Sequence, residues 1–387
     1  MVKHYGDNAM IYCDYNATTP VDEIVFEAMQ PFFCKFYGNA SSLHQSGCIA
    51  KKAIDDARCK VANAVGVQPK QVVFTGGGTE SNNLAMKGLA SLLPVSCTLV
   101  SPIEHASIRV PAHELAWMGW KLLQPKVNSD GIVDLEDVER LLEEQCGLVS
   151  VMLANNETGV LQPVPEVAKL ARKSGALVHT DAVQAFGKVL VDFDSLGVDT
   201  LSIAGHKIYG PKGVGALVIR NGVDLMPILT GGSQERGLRA GTENIAAIVG
   251  LGEACRLAND RLKEVKQHLG ECRERLETGI ESLGGVIFGK NACRVMNTSY
   301  FAFENIDGPQ LAVRLDDLGF CVATGSACSA GKTEPSSVLA AMGVPVRLAR
   351  GAIRVSLGRQ STISDIDGLL VALNQCLSSM DRNIVCA

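Results

Sequence analysis

From residue 71 onward, short unbroken apolar runs alternate with segments whose apolar residues recur every three or four positions. The runs at 71–74, 98–100, 148–153, 176–179, 198–204 and 214–219 predict buried strands, and the periodic segments between them, such as 107–118 and 165–174, predict helices. Strand, helix, strand, repeated in this way, predicts an α/β fold with a mostly parallel central sheet covered on both faces. In such sheets ligands sit beyond the carboxyl ends of the strands, so the polar turns after the strands are expected to converge on one site.

Ahead of this region lie a short strand near residue 11 running into a turn, a helix over 21–33 with Pro20 near its start, and a polar loop over 37–44. A helix over 47–65 follows, marked by Ala50, Ala53, Ile54, Ala57, Val61 and Ala64. Behind it, 245–283 reads as long and helical. Strands at 297–302, 320–323 and 352–356 and helices at 308–318, 336–342 and 364–380 then predict a second, smaller α/β domain. With 387 residues the chain is long enough for two cores. The boundary is expected inside the helical stretch, giving a large domain over 1–256 and a small one over 257–387.

Composition removes several function classes. Hydrophobic residues make up 47% and charged residues 20%, the balance of a globular protein. The net charge is -5 with no basic block, which argues against nucleic-acid binding as the main task. No apolar run reaches membrane-spanning length, and the first residues lack the apolar core of a secretory signal, so a cytoplasmic protein is expected, a cleaved targeting segment aside. The 13 cysteines are scattered with no Cys-x-x-Cys pair. Cys13, Cys34, Cys48, Cys59, Cys97, Cys146, Cys255, Cys272, Cys293, Cys321, Cys376 and Cys386 are expected to be reduced and buried, and no resident metal site is expected.

The candidate chemistry lies in the turns. Gly76-Gly77-Gly78-Thr79 presents backbone N–H groups at a helix N-terminus, which suits a phosphate. Glu104-His105 puts an imidazole just after a strand, and Asn155-Asn156 puts side-chain amides after another. Asp181 stands at the tip of a strand, with Gln184 close behind; a helix N-cap is the competing reading for Asp181. Lys207 follows the strand that ends at Gly205, its backbone stiffened by Gly210, Pro211 and Gly213. A lysine so placed can act as an amine nucleophile and form a Schiff base. Alone each of these is weak. Together they supply what pyridoxal phosphate requires: a lysine for the imine, a carboxylate for the ring nitrogen, donors for the phosphate and a group to pack on the ring. The polar loop with Asn39 and His44 is a further candidate for ligand contact.

In order and spacing these stretches resemble the pyridoxal-phosphate cysteine desulfurases of the NifS/IscS type, over nearly the whole chain. The resemblance rests on Asp-Tyr-Asn-Ala-Thr-Thr-Pro at 14–20, Gly-Gly-Thr-Glu-Ser-Asn-Asn at 77–83, Ala-Asn-Asn-Glu-Thr-Gly at 154–159, His-Thr-Asp-Ala-Val-Gln at 179–184, Gly-His-Lys at 205–207, Arg-Ala-Gly-Thr-Glu-Asn at 239–244 and Gly-Ser-Ala-Cys-Ser at 325–329. It implies fold type I of the aspartate-aminotransferase kind, a homodimer, and transfer of sulfur from L-cysteine to give L-alanine and a persulfide on Cys328. By position, Lys207 is then the Schiff-base lysine, Asp181 the partner of the ring nitrogen, and His105 the residue that stacks on the ring and moves protons. Asn156 and Gln184 hold the ring oxygen. Gly78, Thr79 and His206 bind the phosphate, with Thr242 reaching it from the partner subunit. Arg354 takes the substrate carboxylate in its planar fork, assisted by Asn39. Relatives often carry serine three residues before the lysine; here it is Ala204, so a weaker hold on the phosphate is expected.

Cys328 stands in a stretch of small residues, 324–335, expected to be an exposed, mobile loop that carries sulfur outward to an acceptor protein such as an iron–sulfur scaffold. Its thiol attacks only as thiolate, and the sequence does not show what takes its proton. Whether Cys328 also serves as a transient iron–sulfur ligand stays open. Two alternatives remain. One is selenocysteine lyase, which shares the cofactor residues and toward which Ala204 leans. The other is a non-catalytic cofactor-binding scaffold, against which Lys207, His105 and Cys328 argue.

Overall fold

The structure, a computed structural model, describes residues 10–324 and 336–384, with side chains described to Met380. Among the described residues the strands are β1 (Ile11–Tyr12), β2 (Val72–Thr75), β3 (Cys97–Val100), β4 (Lys121–Leu123), β5 (Cys146–Ser150), β6 (Leu177–Asp181), β7 (Thr200–Ala204), β8 (Gly215–Ile219), β9 (Val286–Ile287), β10 (Thr298–Ala302), β11 (Phe320–Cys321), β12 (Ala323–Thr324) and β13 (Ala352–Ser356). Seven of them form the main sheet in the order β2-β8-β7-β6-β5-β3-β4. The neighbours from β7 through to β4 pair in parallel, and β8 runs antiparallel to both β2 and β7. The expected mostly parallel α/β sheet is therefore present. Strands β2, β3, β7 and β8 are buried at every position, as unbroken apolar runs covered on both faces should be.

A cluster with Val73, Leu89, Ile108 and Leu217 covers one face of this sheet, and the main apolar core covers the other. It joins Ile54 and Val61 of the helix Gln45–Ala64, Leu251 of the helix Ile245–Asp260, and Leu99, Val149, Val178 and Ile203 of the strands. A second core holds Leu269 and Leu276 of the helix Leu262–Ser282, Phe301, Ile353 and Val355 of the antiparallel sheet β12-β13-β10-β9, and Leu369 and Leu373 of the helix Ile363–Ile384. Cys13 belongs to this second core, because β1 pairs in parallel with β11. The chain thus enters through the small unit before building the large one.

Three expected elements divide. Residues 21–33 form two helices, Glu23–Met29 capped by Asp22, and Pro31–Cys34, because Pro31 has no N–H with which to continue the first. The long helical stretch breaks at Arg261, whose guanidinium pairs with Asp22 at 2.7 Å. The strand expected at 320–323 becomes β11 and β12, which join different sheets.

The cysteine expectation holds for Cys13, Cys97, Cys146, Cys255, Cys272 and Cys376, which are buried and unpaired. It is corrected for Cys34, Cys48, Cys59 and Cys293, which are exposed, and for Cys321, which is half-buried. Cys48 and Cys59 lie off the Ala50-Ile54-Ala57-Val61 stripe of their helix, so helical periodicity sends them outward. Cys328 and Cys386 lie outside the described residues.

Candidate active site

The carboxyl ends of β2, β3, β5, β6 and β7 open on one cavity of about 1110 Å³. Of the residues singled out in the sequence, Gly78, Thr79, His105, Asn156, Asp181, Gln184, His206, Lys207 and Arg354 all line it. Asn39 and Thr242 do not: both are exposed on the surface of the single chain. Cys328 lies outside the described residues.

Lys207 ends a single 3₁₀ turn, Gly205–Lys207, that follows β7 directly. The loop closes on itself through Gly205 N donating to Val214 O and Gly210 N to Gly205 O, at 3.0 and 2.9 Å. Tyr209 takes a left-handed conformation (φ 64°), unusual for a tyrosine and held from several sides. Its N–H donates to Thr19 Oγ1 at 2.8 Å, its hydroxyl accepts from Arg359 N at 2.7 Å, and the Arg359 guanidinium lies 3.8 Å from its ring centroid. The Lys207 amine donates to the carbonyls of Asn16 and, at 2.7 Å, Ala17. Beside it, His206 lines the cavity with Nδ1 3.2 Å from Thr18 Oγ1. Burial and the charges of Lys207 and Lys212 push its pKa down to about 4, so the imidazole is neutral at pH 7.

The glycine turn opens the helix Gly78–Ala90, and no side chain caps it. Gly77 sits at φ 148°, and a Cβ on Gly215 of β8 would stand 2.7 Å from the Gly77 carbonyl carbon, so the sheet receives this turn only where side chains are missing. Gly77, Gly78 and Thr79 at this helix start line the cavity, and uncapped first-turn N–H groups make a ready anion cradle.

Asp181 is not a helix cap; it closes β6, and a chain of donors supports it. Val183 N donates to its Oδ1 at 2.9 Å, and Asn82 Nδ2 to its Oδ2 at 2.7 Å. The second Asn82 N–H goes to Ser107 Oγ at 2.8 Å, so Asn82 Oδ1 must accept, and His179 Nε2 supplies the proton at 3.1 Å. Full burial pushes the His179 pKa down to about 3, which keeps it neutral with its proton on Nε2. Ser107 Oγ, having accepted from Asn82, then donates to His105 Nδ1 at 2.8 Å, where Ser107 N also donates at 3.1 Å. His105 is thus the N-cap of the helix Ala106–Trp117, and in its neutral form its proton resides on Nε2.

The side of the cavity where the sheet unit meets the small unit is charged. Arg354, on β13, donates from Nη2 to Asp14 Oδ1 at 2.6 Å and from Nη1 to Asn156 O at 2.9 Å, which leaves three of its five N–H groups uncommitted, including a buried Nε without a partner among the described residues. Glu157, next to Asn156, is buried and accepts from Ser336 Oγ; burial pushes its pKa up to about 7 against the pull of Ser336 and Arg354. Glu104 accepts from Met152 N at 2.5 Å, and burial followed by the charge of Asp181 holds its carboxyl well above the usual range. Arg109, one turn beyond His105, also lines the cavity.

Residues 11–369 match the aminotransferase class-V family. The chain belongs to this family. A cysteine desulfurase IscS of Dictyoglomus turgidum is 41% identical over 374 residues, covering 96% of this chain and 95% of the relative. The solved structure of a NifS-like protein superposes with a TM-score of 0.91 at 39% identity, covering 95% of this chain and 99% of that one. A structure described as SspA in complex with cysteine superposes with a TM-score of 0.79 at 33% identity, covering 89% and 98%. The resemblance to the NifS/IscS type and the fold-type-I architecture read from the sequence are both borne out.

For a class-V chain the cavity has the right donor set. It holds an uncapped helix N-terminus for a phosphate, a supported carboxylate on the sheet, a lysine amine at a strand end, and an imidazole on the helix across from them. These residues fit pyridoxal phosphate. Sequence reasoning gave no role to Asn82, His179, Ser107, Asn16, Lys188, Glu157 or Arg109. Several stand inside the motifs quoted above, but their partners lie tens to hundreds of residues away.

Proposed function

We propose that the chain is a pyridoxal-phosphate-dependent cysteine desulfurase, which transfers sulfur from L-cysteine to the Cys328 thiol with release of L-alanine. The observation that carries this reading is the convergence of Lys207, Asp181, His105 and Arg354 on one cavity. In balance, the Cβ–S bond of cysteine breaks, an S–S bond forms on Cys328, and a proton replaces sulfur on the carbon.

Pyridoxal phosphate, when bound, supplies a sink for the electron pair left on the substrate carbon. The residues do the rest. The N–H groups of Gly78 and Thr79, with neutral His206, bind the phosphate. Asp181, held by Asn82 and Val183, keeps a proton on the ring nitrogen. Asn156 and Gln184 meet the ring oxygen. The uncommitted N–H groups of Arg354 take the substrate carboxylate, their plane set by Asp14 and the Asn156 carbonyl. Lys207 would hold the cofactor through Nζ and, once released, move the proton at the substrate α-carbon, and His105 would pack its imidazole on the ring and handle protons at the sulfur through Nε2.

The same reading takes 1–256 as an N-terminal segment and the cofactor-holding domain and 257–387 as the small domain; that the main-sheet core and the core of Leu276, Phe301 and Leu373 are distinct clusters supports it, with the N-terminal segment lending Cys13 to the latter. It makes the protein a cytoplasmic homodimer that hands sulfur to an acceptor such as an iron–sulfur scaffold. Phe26, Phe33, Tyr37 and Leu43, in the segment around Asn39, are large apolar side chains left exposed, which a second copy would cover. Ala240 N donates to Leu229 O, which ties the segment before exposed Thr242 to the exposed Leu229, and in this reading Thr242 serves a partner's phosphate. Among the described residues no helix is long and apolar enough to cross a membrane.

The test is alanine and sulfide release from L-cysteine with a reductant, for the wild type and Cys328→Ala, beside the same assay on L-selenocysteine. Loss of cysteine turnover in Cys328→Ala with the cofactor retained is the expected result. Unchanged turnover in the variant, or turnover of selenocysteine alone, overturns the reading in favour of a lyase.

A further inference from the structure

The Gln184 amide lies between the large cavity and a buried lysine that the mechanism above does not use. Lys188 Nζ donates to Gln184 Oε1 at 2.6 Å and to Asn16 Oδ1 at 2.8 Å, while Gln184 Nε2 donates to Asn16 O at 2.9 Å. The two side chains meet because residues 182–189 wind through consecutive turns, with Phe186 N bonded to Ala182 O and Val189 N to Ala185 O. Gly187 permits this at φ 78°, where a Cβ would also stand 2.8 Å from Ile208 Cγ2.

Turning the amide over would set its oxygen against the Asn16 carbonyl, a repulsive contact, and would give up the bond that Gln184 Oε1 accepts from the Lys188 amine. One orientation is therefore enforced from two sides. In that orientation a second N–H of Gln184 remains for the cavity that the residue lines. Lys188 itself does not line that cavity; it borders a separate space of about 40 Å³ with Tyr15, Asn297 and Leu257. Burial, with the charges of Lys207 and Arg354, holds its pKa well below the usual lysine range. Both of its bonds survive loss of the proton, since a neutral amine still donates twice.

We propose that Lys188 is a positioning residue: by holding the Gln184 carbonyl oxygen and anchoring Asn16, it makes Gln184 present N–H rather than C=O to the ring oxygen of the bound cofactor. The inference rests on the proposed role of Gln184 toward pyridoxal phosphate. Because Asn16 O also accepts from Lys207, the same lysine steadies the carbonyl on which the Lys207 amine sits.

The experiment is a double-mutant cycle on the holoenzyme with Lys188→Met, Gln184→Ala and the pair, reading the visible band of the bound cofactor and its dissociation constant on dialysis, with thermal unfolding as a check of folding. Lys188→Met is expected to shift the band toward that of Gln184→Ala and to weaken retention about tenfold, the scale of one charge-assisted hydrogen bond. In the Gln184→Ala background it should add less than twofold. Lys188→Arg, which keeps two donors and has the small cavity to expand into, should restore the wild-type band. A wild-type band and retention in Lys188→Met, or fully additive effects in the pair, overturns the proposal. A Gln184→Ala variant identical to wild type overturns it at its premise, and a wild-type chain that takes up no pyridoxal phosphate overturns the proposed function itself.

Discussion

The two walls of the cavity are built on opposite terms. On the sheet side each titratable group has a fixed partner: Asp181 takes Asn82 and Val183, Asn82 takes His179, His105 takes Ser107, and Lys207 takes two carbonyls. The histidines within this network, His179 and His206, are held neutral, and the donor directions follow from simple counting. Where the sheet unit meets the small unit, through Arg109 with Ser337, Glu157 with Ser336 and Arg354 with Asn156, Glu104 Oε2, Arg109 Nε and Arg354 Nε are buried without partners among the described residues, and the carboxyls of Glu104 and Glu157 are pushed upward. Buried polar groups are seldom left so without a use. The contrast separates a wall organised in advance for a resident group from a wall that keeps charge in hand for a molecule that arrives and leaves.

The most severe break in this comparison is at the sheet wall. Lys207→Ala is expected to reduce desulfurase kcat by at least about 10⁴-fold while the chain still unfolds cooperatively near the wild-type temperature, because the amine is the reacting group and its loss leaves only neutral carbonyls behind. Residual turnover within tenfold of wild type would remove Lys207 from the mechanism. On the charged wall, Arg354→Lys should act on binding: KM for L-cysteine rises about a hundredfold with kcat changed severalfold at most, since a point charge cannot both hold Asp14 and present a planar fork. Steady-state kinetics decides, and a kcat loss with unchanged KM would assign Arg354 to the sheet-side chemistry instead.

The two walls also differed in how far the sequence disclosed them. Lys207, Asp181 and His105 each follow a buried strand, so an apolar run ending in a reactive side chain exposed them, and the strands themselves fell within a few residues of their observed bounds. Asn82 reads locally as an ordinary helix residue; its meaning depends on Asp181, 99 positions on, and His179, 97 positions on. Asn16 likewise reaches Thr298 and Gln184. No local period encodes such contacts. Asn39 and Thr242 entered through resemblance alone, and both lie on the exposed surface, away from the cavity of the single chain. Cys48 and Cys59 were misread because composition says nothing of which face of a helix a residue occupies.

A smaller effect tests the electrostatics of the charged wall. Glu157 ionises near 4.5 in the unfolded chain and about 7 in the fold. Between those values the folded chain binds the extra proton, so this group lowers stability as pH rises from about 4.5 to about 7, and the loss persists above. Glu157→Gln removes the slope. Urea unfolding at pH 5 and pH 8 should show the variant gaining a few kcal/mol on the wild type between the two conditions. An equal difference at both pH values would mean that the carboxyl ionises in the fold as it does in water.

The mildest change probes an apolar position on the sheet wall. Ala204 closes β7, lines the cavity, and has its Cβ 3.5 Å from where a Cβ on Gly78 would stand. A hydroxyl there would lie between the strand and the uncapped helix N-terminus, in reach of an anion seated on that cradle. Ala204→Ser leaves the Cβ in place and puts its oxygen toward open space, so it needs no repacking. One added neutral hydrogen bond contributes about 1 kcal/mol, which corresponds to roughly fivefold tighter retention of pyridoxal phosphate. Dialysis against the cofactor measures it, and KM for L-cysteine should not move, because the change is confined to the resident side. Unchanged retention would mean that the phosphate does not sit over Ala204, and a changed KM would mean that the two walls share a ligand there.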